Sequence, residues 1–95
     1  MRHEIIFAPE AVQDLHRLKA NVRAVVRDAV EHYLRHEPTK TSKSRIKRLR
    51  GVSRLQYRLR IDDIRVFYDV NEDQVEILAI VPKSESADWL EAVGE

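Results

Sequence analysis

Between Tyr57 and Val70 the chain runs YRLRIDDIRVFYDV, and no other stretch limits its fold as much. Apolar and polar residues alternate on both sides of Asp62-Asp63. Leu55, Tyr57, Leu59 and Ile61 fall on one side, with Gln56, Arg58 and Arg60 on the other. Beyond the acidic pair, Ile64, Val66, Tyr68 and Val70 share one side, opposite Arg65, Phe67 and Asp69. A period of two flanking a short turn predicts a β-hairpin. With a two-residue turn, Ile61 lies opposite Ile64, Arg60 opposite Arg65, and Arg58 opposite Phe67. Directly opposed arginines repel, so a sheet gains no stability from them. They make sense facing an anion. A guanidinium offers a planar fork of donors that suits phosphate oxygens.

Ninety-five residues allow one domain, 1–95, with one modest core. The chain has no cysteine, so a disulfide framework and a thiolate metal site are excluded. No apolar run is long enough to span a bilayer, and the apolar run in MRHEIIFAPE is too short for a signal peptide. A cytoplasmic protein is expected. The net charge of +1 conceals an asymmetry. Residues 1–37 are balanced, residues 38–65 carry a net +8, and residues 66–95 a net −7. A basic centre of that density points to a polyanion, although a solvated surface balanced by the acidic tail has the same composition.

In chain order, Glu4 to Ala8 reads as a short strand. Pro9 fits the first position of a helix, where its missing N–H costs nothing. Ala11, Val12, Leu15 and Leu18 form the apolar stripe of that helix. Asn21 suits an N-cap. After it, Val22, Val25, Val26, Ala29, Val30, Tyr33 and Leu34 keep helical spacing until Pro38 approaches. Pro38 to Ser44 reads as a mobile polar connector. Arg45 to Arg50 reads as a helical turn or an irregular approach to the sheet, with a bend at Gly51. Val75 to Val81 is apolar on nearly both faces, the mark of a central strand. Pro82 ends it, and Ser84 or Ser86 can cap a final helix. The expected class is α+β: an N-terminal strand, an αα-hairpin packed on one face of a small, mostly antiparallel sheet, and a short C-terminal helix. The opposite sheet face is expected to keep Arg58, Arg60 and Arg65 open.

Those three arginines are the first candidate site, a floor for a phosphate and for charge developing on it. The alternative is that they pair with Asp69, Glu76 or the acidic tail. Lys40, Lys43, Arg45, Lys47, Arg48, Arg50 and Arg54 read as cations that track a nucleic-acid backbone, or as a solvated loop or a strip for an acidic protein. His32 and His36 have the i, i+4 spacing of zinc ligands but no third ligand beside them, which also suits a solvent-facing pair. Trp89 reads as core or as a base-stacking platform. With two glycines, no nucleotide-binding glycine loop or nucleophile elbow can be built.

The β–αα–βββ order, the KRLRG segment, the YRLRIDDIRVFYDV hairpin and the VEILAIV strand together resemble the RelE/ParE family over nearly the whole chain. These are small toxins of type II toxin–antitoxin pairs. The resemblance implies a metal-independent, ribosome-dependent mRNA endoribonuclease that inhibits translation, without cofactor. Its partners would be a cognate antitoxin and mRNA on the ribosome, with no membrane. Arg58, Arg60 and Arg65 match the family's basic positions and would hold the scissile phosphate. Lys43, Arg45, Lys47, Arg48, Arg50 and Arg54 would grip RNA. RelE-type nucleases place an arginine or histidine, then a tyrosine, after the last strand. Here VPKSESADWLEAVGE has Lys83 as its single cation, Ser84 near the arginine's place and Trp89-Leu90 at the tyrosine's. Lys83 is therefore the acid–base candidate. The resemblance equally admits a ParE-type toxin that acts on DNA gyrase without nuclease activity, or a catalytically degenerate, antitoxin-binding member.

Overall fold

The computed structural model describes residues 2–49 and 57–93. The elements in order are β1 (Glu4–Phe7), α1 (Pro9–Arg17), α2 (Ala20–Leu34), β2 (Ile46–Arg48), β3 (Tyr57–Ile61), β4 (Ile64–Val70), β5 (Gln74–Pro82) and α3 (Lys83–Val93). The five strands form one sheet in the order β1-β5-β4-β3-β2. β1 is parallel to β5, and every other pairing is antiparallel. β5 is thus internal, as its two apolar faces require. No helix among the described residues is long and apolar enough to cross a membrane.

α1 starts with Pro9 in its first turn and ends at Leu18, whose backbone is extended. The guanidinium of Arg23 closes that end, with Nε donating to the Leu15 carbonyl at 3.2 Å and a terminal nitrogen to the Leu18 carbonyl at 3.0 Å. The Leu15 carbonyl also accepts the Leu18 N–H at 3.2 Å, and the Leu18 carbonyl is one that a helix end leaves without an intrahelical partner. The residue flanking α2 at its start is Lys19, with no side-chain cap, so Asn21 already lies inside the helix. Ala11, Leu15, Val26, Val30 and Leu34 of the helices pack on Leu59, Ile61, Val66, Tyr68, Val75 and Ile77 of the sheet. Each fully buried side chain of this size contributes about 1.5–3 kcal/mol. Asp14 adds a polar tie, accepting a hydrogen bond from the Ile80 N–H at 3.0 Å.

The β3–β4 hairpin has the expected register: Ile61 opposite Ile64, Arg60 opposite Arg65, Arg58 opposite Phe67. Asp62 has φ 50°, a positive value at the first turn residue as the hairpin-matched turns require. A register shift between Phe67 and Tyr68 skips Leu78 on β5.

Two further expectations change. Residues 46–48 form a sheet strand and not a turn of helix, because Ile46 is buried opposite Leu59 and sets the pleat for its neighbours. The connector from Pro38 to Ser44 is tied down. The buried Tyr68 hydroxyl donates to the Pro38 carbonyl at 2.6 Å, the Ser42 N–H donates to the Ile46 carbonyl at 2.9 Å, and Ser42 Oγ accepts from the Arg45 N–H at 3.0 Å.

Candidate nucleic-acid interface

Alternation along the strands brings Lys47, Arg58, Arg60, Arg65 and Phe67 to the sheet face away from α1 and α2. Lys47 on β2 stands directly across from Arg58, which is across from Phe67, while Arg60 is across from Arg65. Four cations therefore share one side of three neighbouring strands. Arg58 is half-buried, and its Nε is buried without a hydrogen-bond partner among the described residues. Burial first, then the charges of Arg65 and Arg60, hold its guanidinium below the ordinary arginine value. Arg65 and Arg60 thus both act on the charge of Arg58. The ion pairs seen among the described residues lie elsewhere, at Arg17–Asp14, Arg35–Glu31 and Lys40–Glu37.

The arginines are not equivalent. Arg60 is exposed. Arg65 is only 5% exposed, and its Nη1 donates to the carbonyls of Asp62 at 2.8 Å and Ile64 at 3.0 Å. Arg65 thus braces the hairpin turn and reaches the floor through its charge. The face is also not fully open. The Trp89 ring of α3 stacks on Phe67 with centroids 4.7 Å apart and planes at 16°. Leu90 and Leu49 pack with it against Phe67, Ala79 and Val81. The reason is legible in the pleat: Phe67 sits among arginines on a face that still needs an apolar cover, and Trp89-Leu90 is the apolar pair α3 has to offer. Trp89 is accordingly a packing residue, half-buried against Phe67.

The basic segment divides. Lys47 joins Arg58. Arg48, one residue on, turns to the helix-covered side, with its guanidinium 5.7 Å from the Tyr57 ring centre and Nη1 3.5 Å from the Tyr57 hydroxyl. Arg45 lies over the Tyr33 ring at 5.0 Å and donates to the Arg60 carbonyl at 2.8 Å. The Arg60 N–H returns a 2.8 Å bond to the Arg45 carbonyl, so the two residues clamp β2 to β3. Lys43 is exposed on the connector. Arg50 and Arg54 lie outside the described residues. Lys83 is exposed at the start of α3, and its N–H donates to the Asp63 carbonyl at 2.7 Å. It borders a shallow opening with Asp63, Pro82 and Ser84 beside the hairpin turn. No histidine falls on β2–β5. His32 and His36 are exposed on and just after α2, and among the described residues no group of three or more histidine and carboxylate side chains converges for a metal.

Solved structures share this fold. A double arginine-to-alanine variant of the Escherichia coli toxin RelE in the free state aligns with a TM-score of 0.73 at 21% identity, covering 98% of this chain and 96% of that one. The archaeal RelE–RelB complex of Pyrococcus horikoshii aligns at 0.65 and 28%, covering 87% and 97%. The RelB–RelE antitoxin–toxin complex of Methanococcus jannaschii aligns at 0.68 and 21%, covering 88% and 96%. No curated protein matches the chain. The family model for the ParE toxin of the type II toxin–antitoxin system parDE matches residues 5–87, which takes in most of β1 through the first turn of α3 and every described arginine of the hairpin. By that match and that fold, the chain belongs to the RelE/ParE family and is a toxin of a type II toxin–antitoxin system.

Proposed function

We propose that this toxin is a metal-independent, ribosome-dependent mRNA endoribonuclease acting in the cytoplasm. The single observation that carries it is Arg58: a half-buried guanidinium with an unpartnered Nε, held beside Arg60 and Arg65 with Lys47 across from it. Like charges packed this way are costly until an anion joins them. An RNA phosphodiester is the anion that a translating cell presents in repeats. Arg58 and Arg60 take its non-bridging oxygens, and Arg65 holds the turn that sets their spacing. The substrate's 2′-oxygen attacks phosphorus, its proton passes to a base, and the P–O5′ bond breaks. The 5′-oxygen leaves with a proton from an acid, and a cyclic 2′,3′-phosphate remains. The added negative charge on the equatorial oxygens is what the guanidiniums stabilise. Lys83 is the acid–base candidate, at the hairpin turn.

The solved relatives include toxins held by antitoxins. The net +8 of residues 38–65 suits an acidic antitoxin segment covering the same face.

A second reading is favoured by Trp89. A face partly covered by α3 suits a toxin that acts on DNA gyrase and cuts no RNA. Primer extension on messages after brief expression separates the two. Discrete in-frame cuts that disappear in Arg58→Ala and weaken more in Lys83→Ala than in Lys40→Ala are the expected result. Intact messages with DNA damage overturn it in favour of gyrase. The absence of any growth defect overturns both and leaves an antitoxin-binding scaffold.

A further inference from the structure

Around the β2 edge from Arg60 lies a cavity of about 350 Å³ between the end of α2 and the 40–46 segment. We propose that this cavity, lined by His32, Tyr33, His36, Lys40 and Arg45, is a second RNA-phosphate subsite that fills when its two imidazoles are protonated. The inference rests on the RNA reading of the arginine face and extends the path of the strand beyond it.

Three observations support the subsite. The first is proximity: Arg45 lines the cavity and donates to the backbone carbonyl of Arg60 at 2.8 Å, so the cavity lies at the β2 edge, around which the Arg60 side chain takes the other face. The second is that the wall is built. Arg45 is held over the Tyr33 ring at 5.0 Å, and Tyr33 in turn meets the His32 ring edge-on at 4.6 Å. The connector below is fixed by the hydrogen bonds of Ser42 and by the Tyr68–Pro38 bond. The third is the charge. The groups facing the imidazoles are Arg45, Lys40 and Glu37, and Lys40 and Glu37 pair at 3.8 Å. Behind them on α2, Glu31 is engaged by Arg35, which holds its carboxyl below the ordinary value, with a smaller contribution from His36. With neutral imidazoles the cavity carries the single net charge of Arg45. With both protonated it carries three, enough for one phosphodiester and its neighbour.

The test uses a short, uncleavable 2′-O-methyl RNA strand with the whole toxin, and follows fluorescence anisotropy at about pH 5.5 and about pH 8, either side of imidazole's titration. Affinity should rise roughly tenfold at the lower pH. The plot of log affinity against log salt should steepen by about 0.7–1.4, the value of one to two added phosphate contacts on a single strand. The His32→Gln/His36→Gln variant should lose that increment, whereas His16→Gln, on α1, should keep it. In NMR, the ring signals of His32 and His36, and not that of His16, should titrate at higher pH when the strand is bound. An increment that survives in the double variant overturns the subsite, as does its absence in the unaltered toxin. A poly-glutamate peptide that shows the pH increment when RNA does not makes the cavity an acidic-protein site and also overturns it. Arg58→Met in the same assay checks the underlying reading separately: unchanged affinity at both pH values defeats the phosphate floor, whatever the histidines do.

Discussion

Replacing Arg58 by methionine should make the toxin more stable and less able to bind RNA. The methionine keeps an apolar stem where the arginine's aliphatic part lies and removes the charge. Two guanidiniums, Arg65 and Arg60, act on Arg58. Arg65 is on the neighbouring strand and Arg60 two residues along the same one, and like charges at such spacing cost roughly 0.2–1 kcal/mol each. Water screens this half-exposed position, so the pair amounts to about 0.5–1 kcal/mol. Removing a buried, unpartnered Nε relieves about 1 kcal/mol more. The expected gain is therefore about 1–2 kcal/mol in low salt. Urea unfolding should show a higher midpoint with an unchanged slope, since the surface exposed on unfolding hardly differs. The repulsive share should fade toward 1 M salt, where the Debye length is about 3 Å. Affinity for the 2′-O-methyl strand should fall in the same variant. A loss of stability of about 1 kcal/mol or more in low salt would mean that Arg58 is a structural residue with a partner of its own, and the reasoning would fail.

Other residues give independent checks. Tyr68→Phe should cost about 1–3 kcal/mol in chemical denaturation, because the Pro38 carbonyl loses its donor inside the protein. Phe67→Ala should cost about 3–5 kcal/mol and move the emission of Trp89, the single tryptophan, to the red as its stacking partner goes. Arg35 holds the Glu31 carboxyl below the ordinary carboxylate value through a charge-assisted hydrogen bond. A depressed carboxylate contributes stability that is present above its unfolded pKa and lost as pH falls through the folded one. Glu31→Gln should therefore flatten the acid limb of the stability–pH curve below about pH 4.5 and leave the neutral limb's shape alone.

The hairpin was legible to the residue because a two-residue turn and a strict period of two leave a single register that keeps Leu59, Ile61, Val66 and Tyr68 together in the core. The central place of β5 was legible for a similar reason: apolar residues on both faces need cover on both. β2 was not legible. Three residues rich in cations carry no periodic signal, and only the burial of Ile46 against the αα-hairpin makes them a strand. Ending α1 at Leu18 falls to Arg23, a side chain from the next helix, which local capping patterns do not reveal. At the candidate site, alternation put Arg58, Arg60 and Arg65 on one side correctly. It does not show that the Asp62 and Ile64 carbonyls need a donor, and Arg65 supplies it. Nor does a count of cations show that Arg45, Lys47 and Arg48 diverge: Lys47 and Arg48 alternate across β2, and Arg45, just before the strand, turns to the Tyr33 ring.

The claim that Arg58 and Arg60 share one phosphodiester is tested most directly by neutralising that group in the ligand. A methylphosphonate placed at successive positions of a short 2′-O-methyl RNA strand removes one charge at a time. At one position the substitution should weaken binding to the unaltered toxin by roughly tenfold, the scale of one charge-assisted contact, and should hardly affect Arg58→Met/Arg60→Met. Equal losses in both proteins at every position would show that no phosphate is held by those two guanidiniums.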